Sequence, residues 1–230
     1  VISRRASEGG LSRSLFERIM DMGISPHLLT RQYRMHPGIS EFPNQQFYSG
    51  RLENGVSGSE RKAPAGILWP DWERPVAFLP VEGGEMVGPD GASKENVIEA
   101  SWVAKIVEDI VNAGEVDVGD IGVITPYAAQ VRAIRDILPE DLSSIEVKTV
   151  DGYQGREKEV IVFSCVRSNS EGKIGFLSDP RRLNVALTRA KRGLIVIGDP
   201  STLREDENWS AWLEHAKKHN LEAWHIIGMA

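Results

Sequence analysis

Short apolar runs alternate with amphipathic stretches along most of this chain, and that alternation restricts its fold more than any other feature. Pro75 to Val81, Asp120 to Thr125, Ile145 to Thr149, Glu159 to Cys165 and Gly193 to Gly198 read as strands. Between them, Lys94 to Asn112 sets Val97, Ile98, Trp102, Ile106, Ile110 and Val111 at helical spacing and stops before Gly114. Pro126 begins a further helix, through Leu138, and Pro180 another. Such alternation predicts an α/β domain on a mainly parallel sheet. Outside it, Leu11 to Met22 reads as a helix, Leu28-Leu29-Thr30 as a short strand, Pro37 to about Tyr48 as a helix, and Asn208 to His219 as the last helix. The Gly-, Ser- and Pro-rich stretches Arg51 to Arg74 and Gly83 to Ser93 read as loops.

At 230 residues, 41% hydrophobic and 26% charged, the chain can bury a substantial core without staples. A single cysteine, Cys165, excludes an internal disulfide, and its apolar neighbours mark it as a small buried hydrophobe. That usage favours a reducing compartment, cytoplasmic or nuclear. No apolar stretch approaches the ~20 residues of a membrane span. Val1 rather than Met at the start suggests a fragment of something larger. A net charge of −6 argues against a surface that is wholly a nucleic-acid glove. The charge is uneven, however: Asp151 to Arg192 carries nine Lys/Arg against five Asp/Glu, and Ser201 to Ala230 three against five. A local basic strip on an acidic body is compatible with backbone binding.

In open α/β sheets, ligands gather beyond the carboxyl ends of the strands, and the polar clusters are expected there: Arg31 to His36 after one strand, Thr125-Pro126-Tyr127 after another and Thr149 to Glu157 after a third. In Gln32-Tyr33-Arg34-Met35-His36-Pro37, a tyrosine can stack on a flat ring while the arginine fork takes a phosphate. A surface ion pair beside a core tyrosine fits those residues better when they are taken alone. Thr125-Pro126-Tyr127, with Gln130, could touch a sugar-phosphate backbone; alone it reads better as a helix start. Thr149-Val150-Asp151-Gly152-Tyr153-Gln154-Gly155-Arg156-Glu157 combines glycines that permit close backbone approach with many polar groups; a binding loop and a plain turn fit it equally. In Asp179 to Arg192, Arg182, Val185 or Ala186, and Arg189 share one helical face, with Leu183 and Leu187 seated on the sheet. A solvated cationic face is the plainer account of that pattern.

No G-x-x-x-x-G-K-[ST] phosphate loop is present: Gly172-Lys173 is followed by Ile174, with Arg167 where the first glycine belongs. Asp206-Glu207 lies in the acidic tail rather than after a buried strand. The lysine cradle and magnesium carboxylate of a complete NTPase are therefore missing. His27, His36, His215, His219 and His225 are scattered. His215 and His219 stand four apart, but no carboxylate or cysteine companion accompanies them, so they read as part of a solvated helix face and no metal site is expected.

With its four polar elements in order, the chain resembles the second RecA-like domain of superfamily 1 helicases, of the branch containing the nonsense-mediated-decay RNA helicase. The matching segments are Gln32 to Pro37, Val123 to Tyr127, Val147 to Glu157 and Asp179 to Arg192, with Gly10 to Arg18 and Phe42 to Gly55 also similar. The resemblance implies a RecA-like three-layer fold of the P-loop NTPase type, a C-terminal helicase lobe without its own P-loop, as one domain over 1–230. Residues 1–30 would lead in from a missing first lobe, and 201–230 would form a C-terminal helix and tail. It implies ATP with Mg2+, the metal ligands lying on that first lobe, and single-stranded RNA or DNA as the other partner. Tyr33 would stack on adenine, Gly155 and Glu157 would line ribose and phosphates, and Arg34 and Arg189 would act as arginine fingers. Thr125, Pro126, Tyr127, Thr149 and Asp151 would grip the strand. The isolated chain would be inactive as an ATPase. Two other readings stay open: a non-catalytic binding or scaffold module, and the motor lobe of a DNA-repair helicase joined to a nuclease.

Overall fold

The computed structural model of the chain describes residues 3–11 and 13–223, so His225 and the end of the tail lie outside the described residues. Backbone contacts divide the chain into two units, Val1–Thr30 and Arg31–Ala230. The first holds helices α1 (Arg4–Glu8) and α2 (Leu15–Asp21). The expected Leu11 to Met22 helix is shortened at its start because Ser14 caps it: the Ser14 side chain accepts from the Glu17 N–H while the Glu17 side chain accepts from the Ser14 N–H.

The second unit follows the order β1 (Arg31–Gln32), α3 (Pro37–Tyr48), β2 (Glu53–Asn54), β3 (Val76–Pro80), β4 (Glu85–Val87), β5 (Lys94–Asn96), α4 (Val97–Asn112), β6 (Ile121–Thr125), α5 (Ala128–Ile137), β7 (Glu146–Thr149), β8 (Lys158–Ser164), α6 (Pro180–Leu187), β9 (Ala190–Gly198), α7 (Pro200–Leu203) and α8 (Glu207–Lys218). Its main sheet has five strands in the order β3-β9-β8-β6-β7, every pair parallel. Both faces are covered, so adjacent strand residues enter opposite cores. Phe78, Ile161, Phe163, Leu194 and Val196 pack with α3, α6 and α8 through Phe42, Leu183 and Trp212. Leu79, Val160, Val162, Ile195 and Ile197 pack with α4 and α5 through Val103, Ile106 and Ile134. This is the predicted α/β three-layer architecture. Cys165 is fully buried, and burial pushes its thiol well up. Among the described residues no helix is long and apolar enough to cross a membrane.

Three local expectations need correction. Leu28-Leu29-Thr30 is not a strand; the strand forms one step later, where Arg31 and Gln32 pair with Glu53 and Asn54. The Gly83 to Ser93 loop contains β4, which pairs antiparallel with β5. The helix read from Lys94 starts only at Val97, because Asn96 is extended and its side chain caps the Ile98 and Glu99 N–H groups.

Candidate nucleotide and strand sites

Tyr33 and Arg34 sit in a tight turn closed by Gln32. The Gln32 Oε1 accepts from the Arg34 and Met35 N–H groups at 3.0 and 2.8 Å, and its Nε2 donates to the Met35 carbonyl at 2.8 Å. Arg61 clamps the same turn, donating to the Arg34 and Tyr33 carbonyls at 3.0 and 3.1 Å. The Tyr33 ring is 61% exposed. Gly55 supports it: a Cβ there would lie 2.5 Å from Tyr33 Cε1, so only glycine allows the ring this close. The neighbouring His36 is structural. It is buried, and its Nδ1 caps α3 by accepting from the Gly38 N–H at 2.9 Å.

Arg34 reaches two groups far away in sequence. Its Nε donates to Glu157 Oε2 at 2.6 Å and its Nη1 to the Thr188 carbonyl at 2.9 Å. Arg189 folds back from the other side, donating through Nε to the Val185 carbonyl at 3.0 Å and through Nη2 to Thr188 Oγ1 at 3.1 Å. Thr188, nearly buried, therefore splices the two guanidinium groups together. The Arg34 hydrogen bond holds the Glu157 carboxyl below the usual carboxylate range. Burial, and then the adjacent Arg34 charge, lower Arg189 from its ordinary value. Two cations held on one threonine, with the Glu157 carboxylate bonded to one of them, make a site that can take a further anion.

The shared helical face assigned to Arg182 and Arg189 does not exist. α6 ends at Leu187, Thr188 is its C-cap, and Arg189 leads into β9. Arg182, near the start of α6, instead makes a two-pronged bond to Asp151 at 3.1 and 2.9 Å. Leu183 and Leu187 are buried against the sheet, as their spacing predicts.

The segment from Thr149 to Glu157 links these two places. Thr149 closes β7, opposite Thr125 at the carboxyl end of β6. Its Oγ1 accepts from the Gly152 N–H at 3.3 Å, and the Val150 N–H donates to the Thr125 carbonyl at 3.0 Å. The chain then descends. Tyr153 is fully buried, Gly155 takes a left-handed φ of 79° with open space around it, and Arg156 meets Glu146 at the start of β7 at 2.5 Å. Glu157 ends beside the first residue of β8. Within this segment Thr149 and Asp151 stand at the carboxyl end of β7, and Glu157 does not. The Arg34–Glu157–Arg189 cluster lies at the amino ends of β8 and β9, and the His36 N–H is tied to the Lys191 carbonyl there at 2.8 Å. That corrects the expectation that the Arg31 to His36 cluster follows a strand of the main sheet. With seven residues in β8 and about 3.3 Å of rise per residue, the two places are separated by about 20 Å.

Thr125 and Tyr127 are buried, and Pro126 is half-buried. Neither the Thr125 nor the Tyr127 side chain is presented to a strand. The Tyr127 hydroxyl accepts from Arg167 Nη1 at 3.2 Å and from the Phe176 N–H at 3.3 Å. The aromatic displayed here is Phe176, 56% exposed, tilted against Tyr127 at 5.4 Å and capped by the Arg182 guanidinium at 5.3 Å. Sequence reasoning missed Phe176, Thr188 and Arg61. An apolar residue between Gly175 and Leu177 hints at the first, and the neighbour of Arg189 at the second. Nothing in the loop around Arg61 signals its clamp.

Beneath the carboxyl ends of β6 and β8 lies a buried polar network. Glu99 accepts from Ser164 Oγ at 2.6 Å and from the Val166 N–H at 2.9 Å, while Gln130 joins Ser164 to Asn96. Burial pushes the Glu99 carboxyl up to about 8. Val166 holds a left-handed φ of 73°, costly for a β-branched residue, and this network fixes it.

This is a lobe of helicase type, with two separated polar sites joined by one descending segment and no phosphate loop of its own. The chain belongs to the AAA domain family, on the superfamily 1 helicase branch that contains the nonsense-mediated-decay helicase; the family's model matches residues 11–201. A "Regulator of nonsense transcripts 1 homolog" from Neurospora crassa is 47% identical over 94% of this chain and 20% of that protein. The "ATP-dependent helicase NAM7" of Saccharomyces cerevisiae is 42% identical over 95% of this chain and 23% of that one. The chain therefore spans about a fifth of the length of these relatives. Among solved structures, the C-terminal domain of a possible DNA helicase from Lactobacillus plantarum WCFS1 is similar at a TM-score of 0.42 and 13% identity, over 77% of this chain and 96% of that one, a likeness too slight to bear on function.

Proposed function

We propose that the chain is the second motor lobe of an ATP-dependent superfamily 1 helicase that translocates on a single strand. The observation that carries this reading is the joining of Arg34 and Arg189 through Thr188, with Glu157 on the same cluster. Paired guanidiniums fit the γ-phosphate of an ATP whose Mg2+ ligands and lysine lie on a first lobe. Tyr33, exposed beside them and propped on Gly55, is placed to stack on adenine, and Gly155 leaves room for ribose and phosphates. At the other end, Thr149, Asp151, Pro126 and the missed Phe176 would meet the strand, with Phe176 rather than Tyr127 supplying the stacking face. The relatives' names, regulators of nonsense transcripts, favour RNA. Loss of the γ-phosphate would release the two arginines, and the segment from Thr149 to Glu157 would carry that change to the strand.

The test uses a protein carrying both lobes. Arg189→Ala should lower strand-stimulated ATPase by about 10³-fold or more, while nucleotide binding stays within a few-fold. The 230-residue chain alone should not turn over ATP. Full stimulated ATPase in the variant would overturn the assignment.

A further inference from the structure

Neither His215 in α8 nor His219 at its C-cap stands on an open solvated face, the His219 side chain being 16% exposed. His215 is 9% exposed, and its ring packs on Phe42 at 5.4 Å and on Trp212 at 6.1 Å. His219 lies beside it at 4.6 Å between ring centres. The carboxylate companion that the local sequence lacks comes from α3: Glu41, His215 and His219 each offer a ligand atom, and these atoms all lie within 4.8 Å of one another. The His219 Nε2 is buried without a hydrogen bond, and Glu41 Oε1 stands 3.6 Å away. That gap is too long for a hydrogen bond. It is close to the spacing of two ligands on one tetrahedral ion: donors ~2.1 Å from Zn2+ stand about 3.4 Å apart. Arg74 holds the other Glu41 oxygen, Nε to Oε2 at 3.0 Å, and so orients Oε1 toward the imidazoles.

We propose that Glu41, His215 and His219 form a divalent transition-metal site spanning α3 and α8, with Zn2+ the ion its donors fit. Two imidazoles and one carboxylate are a zinc donor set that leaves a coordination position for water. A groove of about 480 Å3, lined by Gln45, Glu214 and Lys218 among others, reaches the site at His215. The ion would give the buried His219 Nε2 a partner and fasten the end of α8 to α3, and none of its ligands belongs to the Arg34, Glu157 and Arg189 cluster. Its effect would therefore be on the stability of the lobe rather than on nucleotide chemistry.

The test uses the 230-residue chain, free of any affinity tag and stripped with chelator. ZnCl2 is titrated by calorimetry, and CoCl2 is followed by visible absorption. One equivalent of Zn2+, a tetrahedral Co2+ spectrum and a Zn2+-dependent rise in melting temperature are expected. His219→Ala and Glu41→Gln should each weaken Zn2+ binding by about tenfold or more and abolish the melting shift, with circular dichroism unchanged. His215 is left intact because its ring is part of the core. No binding at millimolar Zn2+, or equal Zn2+ affinity in the wild type and both variants, overturns the proposal.

Discussion

The descending segment from Thr149 to Glu157 depends on a buried fit between Tyr153 and Gly122. A Cβ on Gly122 would lie 1.8 Å from Tyr153 Oη, 2.8 Å from Cζ and 3.0 Å from Ile161 Cδ1. The Tyr153 ring is fully buried, and its hydroxyl has no hydrogen-bond partner. Gly122→Ala must therefore displace the ring or the strand. Overpacking of this kind costs typically about 1–3 kcal/mol, and a contact this short places it near the upper end. The strand preference for Ala over Gly offsets at most about 1 kcal/mol of that. Tyr153→Phe removes the atom in closest conflict together with an unsatisfied hydroxyl whose desolvation costs about 1–3 kcal/mol. Alone, it should stabilise by about 1 kcal/mol, less a small term for the space left behind. In the double variant the clash is relieved in part, so the two changes should couple favourably by at least about 1 kcal/mol. Urea unfolding of the four proteins, followed by circular dichroism, measures this directly. Additivity within about 0.5 kcal/mol would show that Gly122 and Tyr153 do not constrain each other and would refute the reasoning.

Two further outcomes follow. Burial pushes the Glu99 carboxyl from 4.5 up to about 8, so the native state holds a proton that the unfolded chain releases. Its stabilisation is complete below 4.5 and declines as pH rises to about 8. Glu99→Gln should flatten urea midpoints across that window, and parallel profiles for both proteins would contradict the assignment. Phe176→Ala, in a protein carrying both lobes, should weaken single-strand affinity about 5- to 150-fold, the span of ~1–3 kcal/mol for one stacked base. Fluorescence anisotropy with a labelled strand checks this, and unchanged affinity would remove Phe176 from the strand site.

The parallel sheet was legible because β6, β8 and β9 are Val/Ile-rich runs buried on both faces. Starts of helices were legible where a proline follows a capping side chain, as at His36-Pro37 and Asp179-Pro180. What escaped depended on partners distant in sequence. β1 exists because Arg31 and Gln32 find Glu53 and Asn54, and no local pattern announces that pairing. Glu99 looks like a surface helix residue, yet it faces Ser164 and Val166 beneath the sheet's carboxyl edge. Arg189 lies two residues beyond a helix end that periodicity could not place. His215 and His219 read as solvated because their carboxylate companion is on α3. The resemblance implies Tyr127 on the strand, but its hydroxyl is occupied by Arg167 and the Phe176 backbone, neither of which local sequence announces.

The central claim is that Arg34 and Arg189 act on the transferring phosphate rather than merely holding nucleotide. The most direct test compares two ligands in a protein carrying both lobes: ADP, and ADP with aluminium fluoride as a transition-state mimic. Arg189→Ala should leave ADP affinity within about twofold while weakening the mimic by about 10³-fold or more. Equal losses for both ligands, or none for the mimic, would contradict the account.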